Sequence, residues 1–237
     1  MKKLLSVILA LALVLSLAAC GGAGMGGADN NLTEEKLKGT WCLELDITAM
    51  SEIVGESLGA TMGLGDITPY LDAIPDDLSL SVYMVFDGEG TLSAMLKKQE
   101  INDFYTGMIN ALMTEDTMYA IFEAQGMDKE TVDAALEAQG MSLSTLIAAT
   151  KLQLNSTDFA ETMAGASGTI VKGDYFVMEA TESYTIEGNK VIAEDTVLEY
   201  DGTNLLLTEV ESENENIVAF SKLLPLTVKK VSDKTEY

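Results

Sequence analysis

Apolar and polar residues alternate from Gly39 to Thr48, with Trp41, Leu43, Leu45 and Ile47 on one side and Cys42, Glu44, Asp46 and Thr48 on the other. A period of two is the mark of a half-buried β-strand. The same period returns at Leu78: Leu78, Leu80, Val82, Met84 and Phe86 share one face, and Ser79, Ser81 and Tyr83 the other. Asp87-Gly88-Glu89-Gly90 then reads as a turn, and Thr91 to Lys97 as the returning strand of a hairpin. Between these strands, Met50, Ile53, Val54, Ser57 and Leu58 have helical spacing in an insertion at about 49–75, which is cut by glycines and by Pro69 and Pro75. A second helical insertion is predicted at about 99–165, where Phe104, Tyr105, Met108, Ile109 and Leu112 form one stripe at a spacing of about 3.6. From Gly168 to Val231 the pattern is strand-like again. Strands are expected at Tyr175 to Ala180, Glu182 to Glu187, Lys190 to Tyr200, Asn204 to Val210 and Leu226 to Val231, with turns at Glu187-Gly188-Asn189 and Asp201-Gly202. Short strands with frequent turn signals predict an α+β chain built on an antiparallel up-and-down meander of about eight strands, closed as a β-barrel with inserted α-helices.

The helical insertion contains a short repeat, Glu123-Ala-Gln-Gly-Met127 and Glu137-Ala-Gln-Gly-Met141. Each copy reads as helix punctuation. Gly126 and Gly140 can take the left-handed conformation that ends a helix. Asp128 and Ser142 can cap the next one. Met127 and Met141 are placed as staples against Val132 and Leu146. Two copies are too few for a solenoid.

The first twenty residues follow another rule. Lys2-Lys3 precede an apolar run from Leu4 to Leu17, followed by Leu17-Ala18-Ala19-Cys20. The run is too short for an ordinary transmembrane span of about 20 residues. This stretch resembles a bacterial lipoprotein signal peptide ending in a lipobox, with residues 1–19 as the signal. The resemblance implies that the Cys20 sulfur receives a diacylglyceryl group and becomes the mature N-terminus. Each buried methylene contributes about 0.8 kcal/mol, so two acyl chains hold a protein at a membrane where one does not. The expected localisation is therefore the cell membrane, lipid-anchored and facing outside the cytoplasm. Residues 20–31 carry the lipidated cysteine and a glycine-rich tether spanning roughly 18 Å. The folded domain is expected over 32–237.

Charge narrows the function. The chain has 14 basic residues, all lysine, against 38 acidic ones, for a formal charge of −24. Such a surface repels nucleic acid, so no nucleic-acid partner is expected. No histidine is present, which removes the usual general base, the usual zinc ligand and every histidine-containing catalytic dyad. Ser-x-x-Lys and Gly-x-Ser-x-Gly are also missing, and no Gly-x-x-x-x-Gly-Lys or Gly-x-Gly-x-x-Gly phosphate loop follows a strand. One tryptophan and few aromatics supply a sugar-stacking cleft poorly. Asp87-Gly-Glu-Gly has too few ligands for a calcium loop. The expectation is a non-catalytic protein with no metal and no cofactor. With Cys20 lipidated, Cys42 has no disulfide partner, and its acidic same-face neighbours favour an inert thiol.

Gly39-Thr40-Trp41 at the start of the first strand and the late run Tyr184-Thr-Ile-Glu-Gly-Asn-Lys-Val191 resemble the lipocalin-like lipoproteins of Gram-positive bacteria, across about Leu32 to Val231. The resemblance implies a meander barrel with helices inserted among its strands, and implies no particular activity. Lipocalins pack an arginine on this tryptophan; here the stem of Lys229 or Lys230 must take that place. A barrel of about eight strands can hold one small ligand. Val82, Met84, Phe86, Tyr184 and Ile186 are the candidate lining residues for a small hydrophobic ligand, with Met108, Met113 and Met118 as an adaptable lid. The same side chains can equally serve as packed core. The alternative role is contact with another cell-envelope protein through the helical block.

Overall fold

The computed structural model describes residues 31–46, 70, 75, 78–161, 170–177, 182–193, 196–210 and 220–235. The leader, Cys20, the tether up to residue 30 and most of the predicted helical insertion at 49–75 lie outside the described residues. Tyr70 is described, and it packs partly buried against the main core.

The period-two segments form strands as predicted. β1 (Gly39–Asp46) pairs antiparallel with β2 (Ser79–Phe86), which pairs antiparallel with β3 (Thr91–Lys97). The β2–β3 turn is held by the Asp87 carboxylate, which accepts from the Glu89 and Thr91 amides at 2.7 and 2.9 Å. Gly88 and Gly90 supply the positive φ the turn requires, +77° and +92°.

After α1 (Glu34–Leu37), which precedes β1, the other helices form one block. α2 (Lys98–Leu112) turns Ile101, Phe104, Tyr105, Met108 and Leu112 inward and packs on β2 and β3. Gly107 sits where α2 comes closest to the sheet: a Cβ there would lie 2.7 Å from Leu78 Cδ1. α3 (Glu115–Ala124), α4 (Lys129–Glu137) and α5 (Leu143–Asn155) are shorter. The repeat closes both of its helices identically. Gly126 and Gly140 have φ of +82° and +72°. Met127 N–H donates to Phe122 C=O at 2.9 Å, and Met141 N–H to Leu136 C=O at 3.0 Å. These are the bonds that satisfy a helix's last carbonyls. The Asp128 and Ser142 side chains accept from the Thr131 and Thr145 amides, as N-caps should.

The third block holds β4 (Ile170–Lys172), β5 (Tyr175–Val177), β6 (Glu182–Ser183), β7 (Thr185–Glu187), β8 (Lys190–Ala193), β9 (Thr196–Tyr200), β10 (Leu205–Val210) and β11 (Leu226–Ser232). The described residues thus form an eleven-stranded antiparallel sheet, not about eight strands. Ten strands follow the order β4-β5-β3-β2-β1-β11-β10-β9-β8-β7, and β6 pairs with β3. Three differences from the sequence reading account for the count. The run 190–200 is a hairpin and not one strand, because Ala193 pairs with Thr196 across Glu194-Asp195. The run 182–187 is split at Tyr184, where the chain changes partner: Ser183 pairs with Thr91 of β3, and Thr185 with Ile192 of β8. β4, absent from the prediction, pairs with β5 around a turn at Gly173, φ +56°.

The sheet's inner face and α2 share one core. Trp41 and Leu43 of β1, Met84 and Phe86 of β2, Leu198 of β9, and Leu205 and Leu207 of β10 are at most 2% exposed. Burying an aliphatic or aromatic side chain contributes about 1.5–3 kcal/mol, so this cluster dominates the stability of the sheet. A second, smaller cluster lies on the opposite face: Tyr83, Val85, Met95 and Val177, with Cys42 and Tyr175 at its margin.

Candidate functional site

β1 places Thr40 and Cys42 on the outer face of the sheet, β2 adds Tyr83, and β3 adds Met95 and Lys97. Together with Tyr175 of β5, Val231 and Ser232 of β11, and Lys234 just beyond, they line a half-open pocket of about 380 Å³. Small-molecule sites start at about 300 Å³. These residues come from five strands scattered over nearly 200 positions, and only antiparallel register brings them together.

Two residues of the polar wall, Tyr83 and Lys97, are hydrogen-bonded to Glu100 just outside the lining. Tyr83 Oη donates to Glu100 Oε1 at 2.7 Å. Lys97 Nζ donates to the same carboxylate at 3.0 Å and also to Tyr83 Oη. The ammonium also stands 4.4 Å from the Tyr83 ring centroid, and Tyr175 meets that ring edge-on at 6.1 Å. Burial disfavours the charged forms of Lys97 and Glu100, yet the hydrogen bonds between them and Tyr83 outweigh it. Lys97 is pushed above its ordinary range and the Glu100 carboxyl is held below its own. Burial pushes Tyr83 up. It pushes the Cys42 thiol up as well, the carboxylates of Glu100 and Glu44 adding to the effect, against Ser81 and Lys97, which lower it. Cys42 is free and half-buried, and its raised pKa makes it a poor nucleophile, as its neighbours in the sequence suggest.

One end of the sheet is organised around Trp41. Its indole Nε1 donates to Leu37 C=O at 2.7 Å, tying β1 to α1. Lys230 Nζ lies 5.8 Å from the Trp41 ring centroid, donates to Lys36 C=O at 3.1 Å and pairs with Asp233 at 2.8 Å. Lys230, and not Lys229, therefore stands over the tryptophan. The segment leading into α1 is held at the same end: Leu32 N–H donates to Gly188 C=O at 3.2 Å, and Tyr184 Oη donates to the Glu34 carboxylate.

The five residues predicted to line an internal ligand site come together in the main core. Val82, Met84, Phe86 and Tyr184 are buried in it, and Ile186 packs against it partly buried. Phe86 and Tyr184 meet edge-on at 5.2 Å. Of the three lid methionines, Met108 is buried in the same core, and Met113 and Met118 are half-buried. The pocket thus lies on the face away from these side chains. Sequence reading missed it because Tyr83 and Cys42 sit at positions that the alternation places only on the polar side. The available signal was Lys97 and Glu100 three residues apart at a strand–helix junction.

Among the described residues, no group of three or more cysteine, aspartate or glutamate side chains is placed to hold a metal ion. No helix among them is long and apolar enough to cross a membrane. In comparisons with known proteins, no family, no curated protein and no solved structure matches this chain.

Proposed function

We propose that residues 20–237 form a lipid-anchored, extracytoplasmic, non-catalytic lipoprotein of lipocalin-like type that binds a small ligand beside, and not within, its sheet. Cys20 carries the anchor, and the lipid membrane is its first partner. The sheet is a closed barrel in this reading. Hydrogen-bonded pairs run β3-β2-β1-β11-β10-β9-β8-β7, and the chain itself joins β7 through Tyr184 to β6, which returns to β3. That circuit has eight staves, the number at which side chains fill the interior of a barrel. Trp41 beneath Lys230 gives it a lipocalin-like base.

The observation that carries the binding role is the outer-face pocket of about 380 Å³ with its ordered polar wall. The fully buried inner side chains favour a scaffold role for the interior. Among the described residues, the large apolar side chains that are exposed, Met127, Leu152, Val171 and Val231, are scattered over separate segments. That favours a small ligand over a protein partner on the helical block, where docking calls for a contiguous patch.

Two experiments test the reading. Fatty-acid labelling of cells should mark the wild-type chain and leave Cys20→Ala unlabelled and released from the membrane; equal label in both ends the anchor proposal. Mass spectrometry of small molecules co-purifying with the chain should recover a ligand that Met95→Glu, on the pocket wall, no longer carries. Recovery from both alike would place the ligand elsewhere.

A further inference from the structure

The chemistry of the pocket wall specifies more than its volume. In a chain with 38 carboxylates and 14 lysines, the wall carries two lysines, Lys97 and Lys234, and no carboxylate. Of the nearby acids, Glu100 stands behind the wall, bonded to Tyr83 and balancing Lys97, Glu44 lies beside Cys42, and Asp233 is paired with Lys230 at the Trp41 end. Lys234 has no ion-pair partner among the described residues. Lys229 adds a third positive charge, since it pairs in register with Cys42 across the β1–β11 ladder and is exposed. An ammonium has three donors, and Tyr83 and Glu100 occupy two of those on Lys97. The rest of the wall sets the Thr40 and Ser232 hydroxyls, both bonded to the Lys234 backbone, beside Cys42, Met95, 2% exposed, Val231, 54% exposed at the rim, and the rings of Tyr83 and Tyr175.

We infer that this pocket takes a small amphipathic monoanion, an apolar body resting on Met95, Tyr175 and Val231 with its acidic head at Lys234 and Lys97. The inference rests on the reading that the outer-face pocket is the ligand site. A strongly acidic protein repels anions from most of its surface, so a local pair of lysines is a selective device here. Lysine is a point charge without arginine's planar fork. With Lys97 balanced by Glu100, Lys234 is the uncompensated charge of the lining, so the site selects a single negative charge on an apolar body, and not a particular head geometry.

The test uses the full chain, lipid-anchored in bilayer nanodiscs, with methyl-labelled methionine. The Met95 methyl is assigned with Met95→Leu, and free probe concentration is fixed by dialysis. The probes are 4-phenylbutyrate and 4-phenyl-1-butanol, which share a body and differ in charge. The acid should shift the Met95 methyl with an affinity about tenfold tighter than the alcohol, one charged contact in a partly exposed site being of that order. Lys234→Met should bring the two probes to parity, and Lys234→Arg should keep the preference. Lys234 is exposed, so its replacement leaves the core intact. Equal or tighter binding of the alcohol to the wild type overturns the monoanion inference and leaves the pocket standing as a ligand site. A Met95 methyl that neither probe moves at millimolar concentration overturns the pocket reading and this inference with it.

Discussion

β2 carries two unlike surfaces back to back. On its inner side Leu80, Val82, Met84 and Phe86 join a continuous apolar core, and the last two are fully buried. On its outer side Tyr83 and Val85 are also buried, at 8% and 4% exposure, but beside Cys42, Lys97 and Glu100. The inner surface is interchangeable in chemistry and strict in volume, since dispersion and burial reward any apolar group that fits. The outer surface is strict in chemistry, because each buried polar atom needs its particular partner. A single strand can thus anchor the fold through one set of alternate residues and hold a polar cluster beside a pocket through the other.

The contrast can be broken most forcefully at Phe86. Phe86→Ala should cost about 3–5 kcal/mol, read as a lower urea midpoint, because it leaves a cavity beside Tyr184 where the ring is fully buried; a loss under 1 kcal/mol would show that the inner face is loosely filled. Next comes Gly39→Ala. Gly39 has φ +131°, and a Cβ there would lie 2.4 Å from Ser232 C=O, so strain of about 1–3 kcal/mol is expected, with faster amide exchange along β1 and β11. On the outer face, Tyr83→Phe should cost about 1 kcal/mol by removing the hydroxyl that joins Lys97 and Glu100. Glu100→Gln sharpens the same point through pH. The Glu100 carboxyl titrates below its ordinary value of 4.5, so its contribution is present above that value and is lost as pH falls through the folded pKa. The difference in urea midpoint between wild type and Glu100→Gln should be largest near neutrality and vanish well below pH 4; a gap that widens on acidification would reverse the assignment. The smallest effect on stability belongs to Val231→Ser at the pocket rim. It should stay within about 0.5 kcal/mol while weakening the binding of 4-phenylbutyrate.

The inner face was legible in the sequence and the outer one was not, for a physical reason. Periodicity reports which residues one element buries in common. It marked Trp41, Leu43 and Leu45, the Leu80–Phe86 face and the α2 stripe from Phe104 to Leu112. Cap and C-terminal chemistry are equally local, so Asp128, Ser142 and the two repeat glycines were read correctly. The change of partner at Tyr184 carries no local mark, since a strand that leaves β3 for β8 keeps the same extended backbone. The Glu194-Asp195 link lacks the glycine or asparagine that usually announces a tight turn. The pocket depends on register between β1, β2, β3, β5 and β11. A polar residue in an alternating strand looks alike whether it meets water or a second cluster, and so periodicity alone places Tyr83 and Cys42 only on the polar side.

β1 lies between β2 and β11, and its pairing with β11 joins Thr40 to Ser232 and Trp41 to Lys230. Synthesis runs from the N-terminus, so an early strand waits with one row of amides and carbonyls bare until nearly the whole polypeptide has been delivered. Products that stop before residue 226 leave that row open as an adhesive edge for other chains and an easy target for proteases. The topology thereby makes protection of β1 conditional on the delivery of β11.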